Sequence, residues 1–353
     1  MIKINKELTK TPVHLSEFDY YLPESLIAQE PPGQRGDSRL LVVRLDSDKL
    51  EHRRFSDLLE YLNPGDILVI NDTKVLPARL LGKKKDTGAQ AEVLLLKRLS
   101  GSKWEALVRP GKRLKASSMV SFNNGLLECR ILENTDYGGR IVEFFYEGSF
   151  EEILDRIGVM PLPPYIKKPL LEQERYQTVY ARQAGSAAAP TAGLHFSQEM
   201  LERIKEMGVD IAPVLLHVGL GTFRPVEVDD ITLHHMHAEY YEIPEATSQA
   251  IAKARSGGGR VIAVGTTTTR CLESAAGADG SVSPGAGWTD IFIYPGYRFK
   301  VIDGLITNFH LPKSTLLMMV SALAGREKIL RAYAEAVREK YRFYSFGDAM
   351  LLI

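Results

Sequence analysis

The spacing of apolar and polar positions divides the chain into two kinds of region. Between residues 73 and 148, short apolar runs alternate with glycine-containing turns. Short strands joined by glycine turns are typical of a small barrel or sandwich. The pattern predicts strands over 78–81, 91–96, 104–108, 119–122, 126–132 and 140–145, followed by a helix that begins after Ser149 in a capping-box pattern.

Elsewhere the pattern alternates between strand and helix. Strands are predicted over 40–45, 67–70, 209–218, 261–264 and 290–294, and helices after Ser197 and over 245–254 and 267–276. This order favours an α/β domain with a largely parallel sheet. We therefore predict a main α/β domain formed by residues 1–72 and 149–353, with residues 73–148 inserted as a small β-barrel domain.

Length and composition agree with two globular domains, because 353 residues exceed what one hydrophobic core usually supports. Cys129 and Cys271 are far apart and match neither a disulfide framework nor a zinc pattern, which favours a reducing compartment. The N-terminus lacks a signal-peptide pattern, and no apolar run is long enough to span a membrane. We expect a soluble cytoplasmic protein.

The net charge of zero conceals a basic segment. From Lys74 to Lys115 there are twelve Lys or Arg and three acidic residues, so this segment carries +9 and the rest of the chain −9. Such a local basic surface is suited to gripping a nucleic acid. These lysines could equally be the solvated faces of strands.

Six of the eight histidines fall in four polar turns, at 189–196, 216–223, 234–239 and 307–314. His195, His217 and His310 each lie in a turn near an apolar run, where the ends of parallel strands place ligand contacts. Gly265-Thr266-Thr267 lies between a strand and a helix, so its amides could face an anion or simply begin the helix. The residues therefore favour a polar ligand site built from these turns.

A further polar segment, Asn71-Asp72-Thr73 through Arg79, follows a buried strand at the predicted domain junction. An amide, a carboxylate and a hydroxyl at a strand end suit a ligand crevice between domains, with Arg79 reaching a phosphate or carboxylate. An Asx-type turn that only reverses the chain is the alternative.

Two other classes of function remain open at this point. His234, His235, His237 and Asp230 could serve a metal-dependent hydrolase, although their spacing matches no zinc motif. A non-catalytic RNA-binding protein would explain the basic segment but not the polar turns. The dinucleotide fingerprint is weak because Pro225 stands where its helix should run, and phosphate-loop and nucleophile-elbow motifs are absent.

Taken together, the motifs resemble the S-adenosylmethionine:tRNA ribosyltransferase-isomerases of queuosine biosynthesis. The resemblance covers nearly the whole chain. It is carried by Phe18-Asp19-Tyr20, Ser38-Arg39-Leu40, Asn71-Asp72-Thr73, the segment 189–196, His217-Val218-Gly219, Met236-His237, Gly265-Thr266-Thr267, the segment 289–296 and the segment 307–316. One departure is Ala184, where many members have proline.

The resemblance implies transfer and isomerisation of the ribosyl group of S-adenosylmethionine. The acceptor is the aminomethyl group of 7-aminomethyl-7-deazaguanine (preQ1) at the wobble position of tRNA, and the products are epoxyqueuosine-tRNA, adenine and methionine. It implies S-adenosylmethionine as co-substrate, no metal or other cofactor, and a monomer. The family fold is likewise an α/β domain with an inserted barrel.

The resemblance also implies roles for individual residues. Asp72 or His217 would be the base, and His195 and His310 would protonate or orient adenine and ribose. Substrate contacts are expected from Asn71, Thr73, Arg79, Pro190, Thr191, Gly193, Gly219, Gly221, Thr222, Phe223, His237, Glu239, Gly265, Thr266, Thr267, Asp290, Tyr294, Asn308 and Lys313. For tRNA, we expect contacts from Lys83, Lys84, Lys85, Lys112 and Arg113.

Overall fold

The computed structural model describes residues 12–135, 138–219 and 226–353. Within these ranges the strands are β1 (Arg39–Val43), β2 (Leu50–Arg54), β3 (Ile67–Asn71), β4 (Thr73–Val75), β5 (Arg79–Lys84), β6 (Gln90–Ser100), β7 (Lys103–Arg109), β8 (Met119–Phe122), β9 (Leu127–Asn134), β10 (Arg140–Phe145), β11 (Gln183–Ser186), β12 (Asp210–Leu216), β13 (Glu239–Ile243), β14 (Val261–Val264), β15 (Gly285–Thr289), β16 (Gly304–Asn308) and β17 (Ala349–Leu352). The α-helices are α1 (Phe150–Ile157), α2 (Gln198–Glu206), α3 (Glu245–Ser256), α4 (Thr266–Ser274), α5 (Thr315–Ala324) and α6 (Arg326–Arg338).

The described strands form one large sheet in the order β15-β13-β12-β3-β14-β16-β17-β1-β2. Its centre is parallel, because β12 and β14 both pair in parallel with β3 and β14 pairs in parallel with β16. Outer pairings such as β12 with β13, and β16 with β17, are antiparallel. The prediction of an α/β domain built on parallel strands is confirmed.

Hydrophobic cores cover both faces of this sheet. Along β3, Ile67 and Val69 pack on one side, in a core that α3 to α6 also enter, whereas Leu68 and Ile70 pack on the other side with α2. A strand that is buried on both faces reads as a continuous apolar run, as β3 and β14 do. Three layers result, and the ends of the central strands are left open for ligands.

Strands β5 to β10 close into a barrel in the order β10-β7-β6-β5-β8-β9. Its interior holds alternate residues such as Leu80, Val93 and Phe122, and α1 caps it by packing Phe150 against Trp104, with ring centroids 5.5 Å apart. The predicted barrel is confirmed. Assignment of residues 73–148 to a separate domain stays a prediction, because β4 lies outside the barrel and pairs with β11.

One predicted strand is wrong. Residues 290–294 are not extended in the sheet, and the edge strand is β15, which ends at Thr289. The Thr289 hydroxyl accepts a hydrogen bond from the Ile291 backbone at 3.2 Å, a local turn that directs the chain out of the sheet. The apolar run after Asp290 instead packs its aromatic rings on each other, as Phe292 does with Tyr294.

Candidate active site

The carboxyl ends of the four central strands bring the predicted polar turns to one edge of the sheet. Asn71 ends β3, His217 follows β12, Gly265 follows β14 and Asn308 ends β16. Ligands of open α/β sheets bind at this edge. Two clefts open there, and they share one lining residue, Val218.

The first cleft, called here the β14–β16 cleft, lies beyond Gly265 and Asn308 and measures about 760 Å³ including its open mouth. Of the predicted site residues, it is lined by Pro190, Thr191, Gly265, Thr266, Thr267, Asn308 and His310. Gly265 is the N-cap of α4 and has φ +92°, a backbone conformation that favours glycine, and the first amides of a helix have no partner within it.

Asn308 is the best-fixed polar group of this cleft. Its Oδ1 accepts a hydrogen bond from the Thr191 hydroxyl at 3.2 Å, and its Nδ2 donates to the Tyr344 carbonyl at 3.0 Å. Tyr344 also lines the cleft and has φ +71°, uncommon for a bulky residue. The amide therefore holds a strained segment in place beside Thr191.

His195 lies behind this wall and does not line either cleft. The Asn308 amide donates to its Nε2 at 3.1 Å, so the ring proton is on Nδ1, which donates to the Ser38 hydroxyl at 2.7 Å. The ring stacks on Phe55 with centroids 4.9 Å apart, and burial lowers the pKa of His195 to about 3. A neutral ring with both nitrogens bonded positions Asn308.

His310, in contrast, lines the β14–β16 cleft. Its Nε2 is 2.8 Å from the Thr307 hydroxyl, and its backbone N–H donates to the Tyr333 hydroxyl at 2.9 Å. Burial lowers the pKa of His310 to about 3, so this imidazole is neutral at physiological pH. It can offer hydrogen bonds to a ligand without carrying charge.

The second cleft, called here the barrel cleft, lies between the barrel and strands β13 and β15, and measures about 1,350 Å³ including its mouth. His217, Gly219 and Glu239 are the predicted site residues that line it. The wall toward the first cleft is fixed by Ser186, whose hydroxyl accepts from the Val218 N–H at 3.0 Å and donates to the Ala188 carbonyl at 2.7 Å.

His217 is the imidazole of the barrel cleft. Its Nδ1 is 2.9 Å from the Thr73 hydroxyl, and its ring stacks on Tyr240 with centroids 6.1 Å apart. Burial lowers the pKa of His217. A Cβ on Gly185 would lie 2.7 Å from Nε2 and Cε1 of the ring, so the missing side chain at Gly185 makes room for this histidine.

The neighbouring residues of the 71–73 segment are buried rather than presented to a cleft. The Asn71 side chain joins β3 to β12 by two hydrogen bonds. It donates to the Leu216 carbonyl at 2.9 Å and accepts from the Leu216 N–H at 3.1 Å. Asp72 is 5% exposed, lines neither cleft and has one carboxylate oxygen, Oδ1, without a hydrogen-bond partner. Burial raises the pKa of Asp72.

Sequence reasoning missed Arg270, which forms a buried ion pair with Glu239. The two side chains are 3% and 4% exposed, and the other Glu239 oxygen accepts from the Gly219 N–H at 2.8 Å. The pair fixes the loop after β12, and loss of one partner would leave an uncompensated buried charge. A charged residue on the buried face of α4 was the sequence signal for this pair.

The remaining predicted substrate residues lie apart from the two clefts or serve packing. Arg79 pairs with Glu92 at 2.8 Å, Lys313 pairs with Asp19 at 2.9 Å, and a Cβ on Gly193 would lie 2.0 Å from the Tyr180 hydroxyl. His237 and Asp290 are exposed, and Tyr294 stacks on Phe292. Gly221, Thr222 and Phe223 lie outside the described residues.

On the barrel, Lys83, Lys85, Lys112 and Arg113 are exposed. Lys84 pairs with Asp86 at 2.9 Å and Lys85 with Glu128 at 2.8 Å, so local carboxylates offset part of the predicted basic surface. Contact of this surface with tRNA stays a prediction.

The described part of the chain holds no cluster of three or more His, Cys, Asp or Glu suited to a metal ion. His234 instead packs edge-on against Phe292, with ring centroids 5.2 Å apart. In the same ranges, 12–135, 138–219 and 226–353, no helix is long and apolar enough to cross a membrane.

An α/β domain with clefts at the carboxyl edge of its parallel strands and an attached barrel defines an enzyme-like architecture. The family described as "Queuosine biosynthesis protein" matches residues 15–352. S-adenosylmethionine:tRNA ribosyltransferase-isomerases from Pelotomaculum thermopropionicum and Desulforamulus reducens are 71% and 62% identical to this chain over 341 residues, covering 97% of it and all of each relative. A crystal structure of the S-adenosylmethionine tRNA ribosyltransferase of Thermotoga maritima is 39% identical, with a TM-score of 0.55, over 96% of this chain and 100% of that one.

The chain therefore belongs to the family of S-adenosylmethionine:tRNA ribosyltransferase-isomerases of queuosine biosynthesis, and it is an enzyme of the transferase class.

Proposed function

We propose that this enzyme transfers and isomerises the ribosyl group of S-adenosylmethionine onto the aminomethyl group of preQ1 at the wobble position of tRNA. The products would be epoxyqueuosine-tRNA, adenine and methionine. The observation that carries the proposal is the pair of clefts that meet at Val218. A reaction between a small sulfonium nucleoside and a tRNA base needs two such spaces that adjoin, so that the reacting atoms can come into contact beside Val218.

S-adenosylmethionine is assigned to the β14–β16 cleft. Thr191 and Asn308 offer a hydroxyl and an amide for the ribose, and the amides at the start of α4, near Thr266 and Thr267, suit the methionine carboxylate. His310 completes this cleft as a neutral imidazole that orients the nucleoside through hydrogen bonds. His195 acts indirectly. Its ring does not line the cleft, but it accepts a hydrogen bond from the Asn308 amide and so holds that amide in position.

The flipped wobble nucleotide is assigned to the barrel cleft, and residues 73–148 act as the tRNA-gripping domain. Phosphates of the anticodon arm would contact Lys83, Lys112 and Arg113, which are exposed on the barrel. Base-modifying enzymes gain access to their target by taking it out of the stack, and a cleft whose lining includes basic residues such as Lys97 suits that step.

His217 is assigned as the base that takes the C5′ proton beside the sulfonium, with that end of S-adenosylmethionine reaching past Val218 into the barrel cleft. It lines the barrel cleft and its lowered pKa keeps the ring neutral and able to accept a proton. When Nδ1 donates its proton to the Thr73 hydroxyl, the Nε2 lone pair is the accepting site. Asp72 is the weaker candidate because it lines neither cleft.

Release of adenine from S-adenosylmethionine tests the function directly. Wild-type enzyme with preQ1-containing tRNA should release adenine and methionine in equal amounts, and the same tRNA without preQ1 should give neither. His217→Gln should lower turnover by about 10²- to 10⁴-fold while S-adenosylmethionine affinity is retained. The exposed His235→Gln is the matched control and should keep activity. Absence of adenine from the wild-type reaction would refute the function, and full activity of His217→Gln would refute the assigned base.

We further propose that the enzyme uses no metal or cofactor besides its co-substrate and acts as a cytoplasmic monomer. Both cysteines, Cys129 and Cys271, are buried free thiols, which agrees with a reducing compartment. Metal analysis of the purified enzyme tests the absence of a metal, light scattering tests the monomer, and fractionation of the cell tests the cytoplasmic location.

A further inference from the structure

A row of aromatic rings leads out of the barrel cleft along the edge of the large sheet. The His217 N–H donates to the Tyr240 carbonyl, and Tyr240 is paired in register with Trp288 on β15. Their rings follow each other at centroid distances of 6.1 Å for His217 to Tyr240 and 5.7 Å for Tyr240 to Trp288. Three neighbouring backbone positions therefore place three rings in successive contact, stacked between His217 and Tyr240 and edge-on between Tyr240 and Trp288.

The outer end of this row is open to solvent, since Trp288 is 57% exposed. Lys97, on barrel strand β6, places its Nζ 4.4 Å from the centroid of the Trp288 ring. Within the described residues, Lys97 has no carboxylate partner at salt-bridge distance, whereas the adjacent Arg98 pairs with Glu151. The cleft mouth thus presents an exposed indole from β15 and the Lys97 ammonium group from β6, while the carboxylates of Glu105 and Glu151 line the same cleft beyond salt-bridge distance of Lys97.

An exposed aromatic ring beside a lysine is the combination that binds single-stranded nucleic acid. Every nucleobase has a flat face that stacks on an aromatic ring, and the neighbouring phosphate attracts a cation. Trp288 lies two ring contacts from His217, so it would meet a neighbour of the reacting nucleotide rather than the reacting base.

We propose that Trp288 stacks on the nucleobase next to the wobble position of the anticodon loop and that Lys97 binds the phosphate between the two nucleotides. This inference rests on the proposed function, because it assumes that the wobble base enters the barrel cleft. Neither residue belongs to the set of contacts expected from the sequence.

The sulfonium of S-adenosylmethionine is the competing occupant of this ring, because cations also bind aromatic faces. Lys97 already places a positive charge over Trp288, and a second cation there would be repelled. A nucleotide carries a negative phosphate instead of a positive sulfonium, so Lys97 would attract it and assist its binding.

The test measures two affinities of the full-length enzyme, one for a synthetic anticodon stem-loop RNA carrying preQ1 and one for S-adenosylmethionine. Trp288→Ala should weaken RNA binding by about 5- to 100-fold and leave S-adenosylmethionine binding unchanged. Trp288→Phe should retain most of the RNA affinity, and Lys97→Gln should reduce the salt dependence of binding. Tyr21→Ala, which removes an exposed ring elsewhere, is the matched control and should change neither affinity.

Fluorescence gives a second readout. The other tryptophan, Trp104, is 6% exposed but also lines the barrel cleft, so quenching is measured in Trp104→Phe, which keeps only Trp288, as well as in the wild type. RNA should quench the emission of wild-type enzyme, and Trp288→Phe should lose most of that response. Unchanged RNA affinity in Trp288→Ala, or a loss confined to S-adenosylmethionine, would overturn the inference. Wild-type adenine release keeps the two proposals separable: if it occurs and Trp288→Ala binds RNA normally, only the stacking inference fails.

Discussion

His195→Gln removes a buried imidazole that we expect to make the fold sensitive to acid. In the unfolded chain a histidine has a pKa of about 6.5, whereas burial lowers the pKa of His195 in the folded enzyme to about 3. The folded state thus binds fewer protons than the unfolded state between these values. The neutral His195 ring therefore contributes its full stabilisation above pH 6.5, and this contribution is lost as the pH falls toward 3.

The size of the effect follows from this difference in proton binding. Between pH 7 and pH 5, His195 should lower the free energy of unfolding by about 2 kcal/mol. His310, with its pKa also lowered to about 3 by burial, should add a similar amount. His195→Gln should lose about 1–3 kcal/mol at pH 7, because Asn308 and Ser38 lose a well-placed partner. When the pH falls from 7 to 5, the free energy of unfolding of His195→Gln should decrease by about 2 kcal/mol less than that of the wild type.

Urea unfolding followed by circular dichroism at pH 7 and pH 5 measures both quantities. Ser38→Ala is the matched control, since it removes one hydrogen bond of the ring but keeps the titrating group, so it should be less stable at both values with the wild-type pH dependence. Equal pH dependence in wild type and His195→Gln would refute the assignment of a buried neutral ring.

Two further changes test the site and the barrel. Gly185→Ala should displace His217, because the new Cβ would lie 2.7 Å from the ring, and adenine release should fall at least tenfold while S-adenosylmethionine binding persists; normal turnover would show that the ring can shift without cost. Reversal of Lys83, Lys112 and Arg113 to glutamate should weaken tRNA binding and flatten its salt dependence in a filter-binding assay, and unchanged tRNA affinity would assign the barrel another role.

The sequence predicted the architecture because its signals are local. Glycine turns around short apolar runs mark the barrel, and continuous apolar strands such as β3 require cover on both faces. The failure at residues 290–294 has the same origin: the apolar run there looks like a strand, but the Thr289 hydroxyl turns the chain away from the sheet.

The roles of the histidines could not be read from the sequence, because their partners are distant along the chain. His195 bonds Ser38 and Asn308, whereas His217 bonds Thr73. All the histidine turns have the same polar character, yet only the packing decides which ring lines a cleft and which lies behind a wall. Glu239 likewise matched a motif, whereas its partner Arg270 is 31 residues away along the chain, so the charged residue in α4 gave no indication of which residue it pairs with.

The wall at Val218 explains how two well-ordered clefts could serve one transfer. Ser186 and Ala187 both bond the Val218 backbone, and the Gly219 N–H is held by Glu239, so the wall is fixed from both ends. Under the proposed function, the ribosyl group and the aminomethyl group would meet at the edge of Val218, where the two clefts adjoin, because bond formation needs direct contact. Fixed positions on both sides lower the entropic cost of bringing the reacting atoms together. The buried Arg270–Glu239 ion pair lies behind Gly219 at one end of this wall, and removal of either partner would leave an uncompensated buried charge there.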